Sequence, residues 1–132
     1  MSDRARLLRA LRRQDLATFN QKVFHTLDPG TTYEHNWHLD HMCWQLMRVA
    51  RGEVRRLIIN VPPRSMKSIT VSIGFTAWVL GHDPTKRIIC VSYADDLARK
   101  LSVDTRAILE SSWYQELFPR MRLSASVRAT VS

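Results

Sequence analysis

The stretch that decides the fold, Arg55 to Ser68, reads R-R-L-I-I-N-V-P-P-R-S-M-K-S. Its run at 57–61 is mostly apolar and partly β-branched, which predicts a strand. The Pro62-Pro63 pair predicts a tight turn, and Lys67-Ser68 then opens a segment of helical character. Strand, loop, Lys-Ser and helix follow one another in this order in the phosphate-binding loop, or P-loop, where backbone N–H groups and a helix N-terminus surround an anion.

The stretch lacks both glycines of the usual P-loop pattern. Aligning G-x-x-x-x-G-K-[ST] on Lys67 places Val61 and Met66 at the glycine positions. We expect the Met66 side chain to point away from the phosphates, and the backbone there to do without the positive φ that glycine allows. Because backbone N–H groups form the cradle, a phosphate site is still predicted. The pattern leaves open whether ATP binds tightly.

The composition is that of a small basic protein. The chain has 132 residues, enough for about one small domain, and carries 20 Lys and Arg against 12 Asp and Glu, a net charge of +8. A basic surface indicates a polyanion partner, either nucleic acid or nucleotide; a solvated charged face is the alternative. Cys43 and Cys90 lie in apolar runs without a spaced pair, which predicts reduced core residues. With no apolar stretch of signal-peptide or membrane-span length, we expect a cytoplasmic protein.

The N-terminal part of the sequence predicts an amphipathic basic helix capped by Ser2-Asp3. Its apolar side is formed by Leu7, Leu8, Leu11, Phe19 and Val23. Its other side carries Arg4, Arg6, Arg9, Arg12 and Arg13. This basic side is interpreted as a solvated face or, alternatively, as a contact surface for DNA or a partner. Asp28-Pro29-Gly30 then breaks the chain.

A second N-terminal stretch, residues 33–43, is crowded with side chains that can bind zinc. They are His35, His38, Asp40, His41 and Cys43. A zinc site is one interpretation, but no second ligand pair occurs elsewhere at usable spacing. The apolar residues from Leu39 to Ala50 follow helical spacing, which directs Cys43 into a core. We therefore favour a helix that ends at Arg51-Gly52, with Gly52 as its stop.

The residues after the loop predict a βαβ unit. The helical segment from Ser68 to about Leu80 is apolar nearly all round, which is typical of a helix buried between layers. Residues 81–84 end it with glycine and proline, and 87–93 predict a second strand covered on both faces. Asp95 or Asp96 is expected to cap the next helix. Two strands joined through a buried helix should be parallel, so the predicted fold class is α/β.

Three ordered blocks of this sequence resemble one family of viral proteins. They read R-R-L-I-I-N-V-P-P-R-S-M-K-S, F-T-A-W-V-L-G-H-D-P and R-I-I-C-V-S-Y-A-D-D-L-A-R-K. Over about residues 37–119 the chain resembles the terminase large subunit of tailed bacteriophages and prophages, the ATP-driven motor of viral DNA packaging into procapsids. That family's loop is commonly P-P-R-x-G-K-[ST], so Val61 fits it and Met66 departs from it.

The resemblance implies a fold and a division of the chain. The fold is an incomplete P-loop NTPase (RecA-like) domain with parallel strands, preceded by an N-terminal helical segment. The helical segment is residues 1–52 and the partial ATPase core is 53–119. Residues 120–132 are small, polar and aperiodic, which predicts a disordered tail.

The resemblance also implies ATP and Mg²⁺ as cofactors. Lys67 would contact the β- and γ-phosphates, Ser68 would ligate Mg²⁺, and Arg64, the single catalytic candidate, would approach the terminal phosphate. The implied nucleotide-binding residues are Pro62, Pro63, Arg64, Ser65, Met66, Lys67 and Ser68. The resemblance also places three residues that lead into the ATPase core beside the base of the nucleotide. They are His35, Trp37 and His38.

The partners implied by the resemblance are those of a packaging motor. They are double-stranded DNA, the small terminase subunit and the portal protein, on which the full-length family assembles as a ring. Such a motor works in the cytoplasm of the bacterial host, and no membrane contact is implied.

Hydrolysis needs a part of the ATPase that the sequence does not show. An apolar strand must end in an acidic pair, with Asp in the Mg²⁺ shell and Glu to activate water. Asp95 and Asp96 come at a predicted helix start, neither is Glu, and the acidic strand of terminases, the Walker B strand, lies later. We therefore expect an N-terminal fragment that does not hydrolyse ATP alone, and leave open whether it is an enzyme. The alternative is a small basic nucleic-acid- or partner-binding protein without ATP chemistry.

Overall fold

The computed structural model describes residues 2–63 and 66–123, and every regular element in them is helical. In chain order these are α1 (Asp3–Gln14), α2 (Leu16–Leu27), α3 (Trp37–Ala50), a π-helical segment (Ile69–Phe75), α4 (Thr76–His82), α5 (Asp95–Glu110) and α6 (Ser112–Leu117). The π-helical segment and α4 are continuous and form one long helix after the loop.

The predicted N-terminal helix is two helices, because Asp15 interrupts it. Ser2 caps α1 as expected, and its hydroxyl accepts from the Ala5 N–H at 3.3 Å. Asp15 caps α2, since its carboxylate accepts from the Thr18 N–H at 3.2 Å and from the Thr18 hydroxyl at 2.6 Å. α1 buries no residue, whereas α2 buries Leu16, Phe19, Asn20, Val23 and Phe24.

The helix predicted to stop at Gly52 is confirmed as α3. Arg51 is its C-cap, and Gly52 takes a left-handed φ of 80°. The Glu53 N–H donates to the Arg48 carbonyl and the Gly52 N–H to the Val49 carbonyl, both at 3.0 Å. This pair of bonds is a Schellman motif, which satisfies the last carbonyls of the helix and needs the positive φ that glycine provides.

The buried helix predicted after the loop is also confirmed. Its buried residues are Thr70, Ile73, Gly74, Thr76, Ala77, Trp78 and Gly81. Asn20 of α2 donates from its side-chain amide to the Thr70 carbonyl at 3.4 Å, and its side chain fills the space that a Cβ at Gly74 would occupy. The absent side chain at Gly74 therefore lets α2 approach the π-helical segment closely.

One hydrophobic core joins the helices on both sides of the loop. It contains Leu16, Phe19, Val23, Cys43, Leu46, Ile73, Ala77, Trp78, Ile108, Leu109, Tyr114, Leu117 and Phe118. The Tyr114 ring packs edge-on against Phe19, and its hydroxyl donates to the Ala77 carbonyl at 2.7 Å. The core thus holds α4 at a fixed place relative to α2 and α6.

The predicted α/β fold, an incomplete RecA-like P-loop domain with parallel strands, is wrong, because the described residues form no strand. In the regions of the two predicted strands, 56–61 and 87–93, no backbone group makes a backbone–backbone hydrogen bond with another described residue. A helix forms its hydrogen bonds within one segment, whereas a strand needs a neighbour for its ladder. Two such segments are too few to close a sheet of usual size, about four to six strands.

Exposure nevertheless alternates along residues 57–61, as in an extended chain, whereas residues 87–91 are all exposed. Leu57 and Ile59 are partly buried against the core, whereas Ile58 is 85 % exposed. In the second segment Ile89, Val91 and Tyr93 are 87, 89 and 97 % exposed. The prediction that residues 87–93 are covered on both faces is therefore wrong, because residues 87–91 are all exposed.

The start of α5 and the residues after α6 differ in detail from two further predictions. α5 begins where expected, but its N-cap is Ala94 without a side-chain cap bond, and Asp95 and Asp96 occupy the first turn. Carboxylates there interact favourably with the helix dipole. Of the predicted tail, Met121 and Leu123 pack on the core, while residues 124–132 lie outside the described residues.

Candidate phosphate-binding site

The backbone before Lys67 has the conformation for which the P-loop normally uses glycine. Met66 has a φ of 63°, and no other non-glycine residue in the described ranges has a positive φ. The expectation that the backbone would do without a positive φ here is wrong. The Met66 carbonyl accepts from the Thr70 N–H at 2.9 Å, so the helix begins directly after the left-handed residue.

The side chains at this helix start face solvent. Lys67 and Ser68 are exposed, and Met66 is half-buried. Lys67 makes no ion pair with any residue in the described part of the chain. A free ammonium beside an exposed helix N-terminus gives a positive site for an anion.

The rest of the predicted loop is only partly described. Pro62 and Pro63 are exposed and lead into the site from the 57–61 segment. Arg64 and Ser65 lie outside the described residues, so their predicted roles toward the nucleotide stay predictions. Behind the site, Thr70 and Ile73 are buried, which anchors the helix start to the core.

A left-handed residue next to a helix start can direct successive N–H groups toward one anion. The first N–H groups of a helix have no partner within the helix, and here the flanking residues Lys67 and Ser68 are exposed. Met66, Lys67 and Ser68 therefore fit phosphate oxygens. The Ser68 hydroxyl is exposed, and its predicted role as a Mg²⁺ ligand stays a prediction.

The acidic pair that hydrolysis would need does not lie at a strand end in the described residues. Asp95 and Asp96, the acidic pair weighed from the sequence, belong to the first turn of α5 rather than to a strand end. Within residues 2–63 and 66–123 no cluster of three or more His, Cys, Asp or Glu side chains could hold a metal ion.

The histidine-rich stretch 33–43, which runs into α3, does not assemble as a zinc site in the described residues. His35 pairs with Asp40 at 2.8 Å on the protein surface. Cys43 is buried, contacts the Asn20 amide at 3.5 Å, and has its pKa raised to about 11 chiefly by burial. A thiol of that kind stays protonated and is a core residue, as predicted. His35 and Trp37 are exposed, and their predicted place beside a nucleotide base stays a prediction.

Cys90 does not behave like Cys43. It is exposed in the 87–93 segment, and its sulfur lies 3.9 Å from the Thr76 hydroxyl. The prediction of two buried cysteines is therefore wrong for Cys90, because the segment that carries it has no covering layer.

An open groove beside Cys90 was not predicted from the sequence. It has a volume of about 660 Å³ and is lined by 88–92, by the long helix at Val71 and Phe75, and by α5 at Leu101 and Leu109. The apolar run 87–93 could have indicated this groove. It was predicted to be a strand covered on both faces, and the described residues do not form the second covering layer.

In comparisons with known proteins, no protein-family model, curated protein or solved structure matches the chain. Among the described residues, no helix combines the length and apolar character needed to cross a membrane.

Proposed function

We propose that residues 62–68 bind the phosphate groups of a nucleotide. The observation that carries the proposal is the left-handed Met66 followed at once by a helix start with exposed Lys67 and Ser68. A left-handed φ costs a non-glycine residue about 1–2 kcal/mol. Because methionine adopts this backbone conformation at a cost, its presence at position 66 supports a functional role more strongly than a glycine there would.

The proposed nucleotide is ATP with Mg²⁺, as in the terminase large subunit that the sequence blocks resemble. Lys67 would neutralise the terminal phosphates, backbone N–H groups at the helix start would hold their oxygens, and Ser68 would face the Mg²⁺. The chain would then be the ATP-binding N-terminal part of a packaging motor and would bind without hydrolysing. DNA, the small terminase subunit and the portal protein are proposed as partners of that motor.

The test is binding of a fluorescent ATP analogue to the full chain, with and without Mg²⁺. Lys67→Ala should weaken binding roughly tenfold or more, since a hydrogen bond to a charged group contributes about 1.5–3 kcal/mol. Lys100→Ala, an exposed lysine on α5, is the matched control and should leave the affinity unchanged. Equal affinity of both variants would refute the proposed role of Lys67.

A second candidate function, binding of nucleic acid, is favoured by the geometry of α1. This helix buries no residue and carries five arginines, of which Arg9 alone has an ion-pair partner, Glu116 at 3.4 Å, among the described residues. Such a basic helix can contact phosphates without sequence specificity. Binding of labelled double-stranded DNA that falls steeply with salt, and falls further in Arg4→Ala/Arg6→Ala, would support it. Binding unaffected by those substitutions would exclude α1 as the DNA contact.

A further inference from the structure

The segment 87–93 is an exposed, largely apolar stretch next to the open groove. Its backbone makes no backbone–backbone hydrogen bond in the portion of the chain that the structure covers. Its outward side chains Ile89, Val91 and Tyr93 are almost fully exposed. Unpaired backbone groups flanked by apolar side chains are a template for the addition of another strand.

The charges at the two ends of this segment are opposite. Lys86 and Arg87 precede it, and Asp95 and Asp96 follow it; all four are exposed. None of the four makes an ion pair with another described residue. A strand that pairs here is therefore expected to carry carboxylates beside Lys86 and cations beside Asp96.

The segment itself has that distribution when it runs in the opposite direction. In an antiparallel pair of two copies centred on Val91, Ile89 lies opposite Tyr93 of the other copy. The Lys86-Arg87 end of one copy then lies next to the start of α5 in the other copy, where Asp95 and Asp96 occupy the first helical turn. Val91 then lies opposite its own counterpart. Opposite residues of an antiparallel pair share a face, so exposed apolar side chains meet one another.

We infer that the chain forms a symmetric dimer by antiparallel pairing of residues 89–93 with the same residues of a second copy. The contact is isologous, as in most homodimers, because each end of one segment meets the other end of its partner. The pairing satisfies the backbone groups on one edge of each segment, brings Ile89, Val91 and Tyr93 of the two copies into contact on one face, and places the oppositely charged ends near each other. It does not depend on nucleotide binding.

The first test measures the oligomeric state and its dependence on charge. Wild-type protein should show a concentration-dependent dimer in sedimentation at concentrations on the order of 100 µM, since a short strand contact is a small interface. Lys86→Glu/Arg87→Glu and Asp95→Lys/Asp96→Lys should each be monomeric alone, because like charges then meet. Mixing the two variants should restore a dimer, since opposite charges face each other again.

The second test fixes the register by disulfide trapping in a Cys90→Ser background. Val91→Cys should form an intermolecular disulfide under mild oxidation, because facing Cα atoms in an antiparallel pair lie about 4.5–5.5 Å apart, within disulfide reach. Ile89→Cys should not, because its counterpart faces Tyr93. Val103→Cys, on the exposed side of α5, is the control for random collision.

Several results would overturn the inference. A wild-type monomer throughout the concentration range would exclude the dimer, and failure of the mixed charge variants to associate would exclude the charged ends as its determinants. Equal trapping of Val91→Cys and Val103→Cys would exclude the register. A dimer that forms but survives each charge reversal would place the interface elsewhere on the surface.

Discussion

The Met66 carbonyl accepts a hydrogen bond from the Thr70 N–H at 2.9 Å, although Met66 itself has a φ of 63°. The helix that carries Lys67 and Ser68 therefore begins on a residue in a conformation that its side chain disfavours. The left-handed residue Met66, the N-terminus of the helix and Lys67 of the predicted loop therefore lie next to one another. It also makes the strain at Met66 measurable.

Replacing Met66 by glycine should stabilise the chain relative to Met66→Ala by about 1 kcal/mol, since alanine keeps the left-handed strain and glycine removes it. In a helix interior the order is reversed, with glycine about 1 kcal/mol less stable than alanine. Urea unfolding of the two variants gives the comparison. Met66→Gly should also bind the ATP analogue at least as tightly as wild type. An alanine variant more stable than the glycine variant would show that no positive φ is needed at position 66.

Much of the helical architecture could be predicted because helix signals are local. Ser2 as a cap, the stop at Gly52 and the buried face around Ile73 each depend on residues within a few positions. The break at Asp15 was missed because the apolar spacing continues across it, while the Asp15 carboxylate caps α2. The prediction of two strands was wrong because a strand is stabilised by partner strands that can be remote in sequence, and the described residues provide no such partner.

The candidate site was predicted in part. Lys67 and Ser68 do lie at a helix start, because the loop and helix pattern is contiguous in sequence. The left-handed Met66 could not be foreseen, since the local preference of methionine is against it. The exposure of Cys90 was also missed, because an apolar run indicates burial without stating which layer covers it.

The two cysteines should differ in reactivity in the native protein. At pH 7.5 iodoacetamide should modify Cys90, which is exposed, and spare Cys43, whose pKa is raised to about 11 by burial. Mass spectrometry of peptides from the native and the unfolded protein distinguishes the sites. Rapid native labelling of Cys43 would contradict its place in the core.

The chain should lose stability as the pH falls below about 6.5, the ordinary pKa of histidine. The His82 ring lies between Trp78 and Phe118, at 4.4 and 5.1 Å between centroids, and this partial burial lowers its pKa. The unfolded chain therefore binds the proton first on acidification, and the loss of stability ends once the pH is below the folded pKa.

Urea unfolding at pH 7.5 and pH 5 measures this pH dependence. His82→Gln should reduce the difference between the two pH values, whereas His41→Gln, on the exposed side of α3, should not. An unchanged pH dependence in His82→Gln would show that other groups determine it.

Tyr114→Phe should destabilise the chain by about 1 kcal/mol, because the buried hydrogen bond from its hydroxyl to the Ala77 carbonyl is lost without a change in ring packing. Thermal or urea unfolding measures the loss. Tyr93→Phe removes a hydroxyl that is fully exposed to water, so its stability should match that of wild type. Equal stability of the two variants would indicate that the Tyr114 bond contributes nothing.

The central claim, that a nucleotide phosphate binds at the helix start behind Met66, is tested most directly by two-dimensional ¹H–¹⁵N NMR of the full chain during titration with Mg-ATP. The amide signals of Lys67, Ser68 and Ile69 should show the largest saturable shifts, and Lys67→Ala should abolish them. Shifts confined to the amides of α1, or none at residues 66–70, would contradict the account.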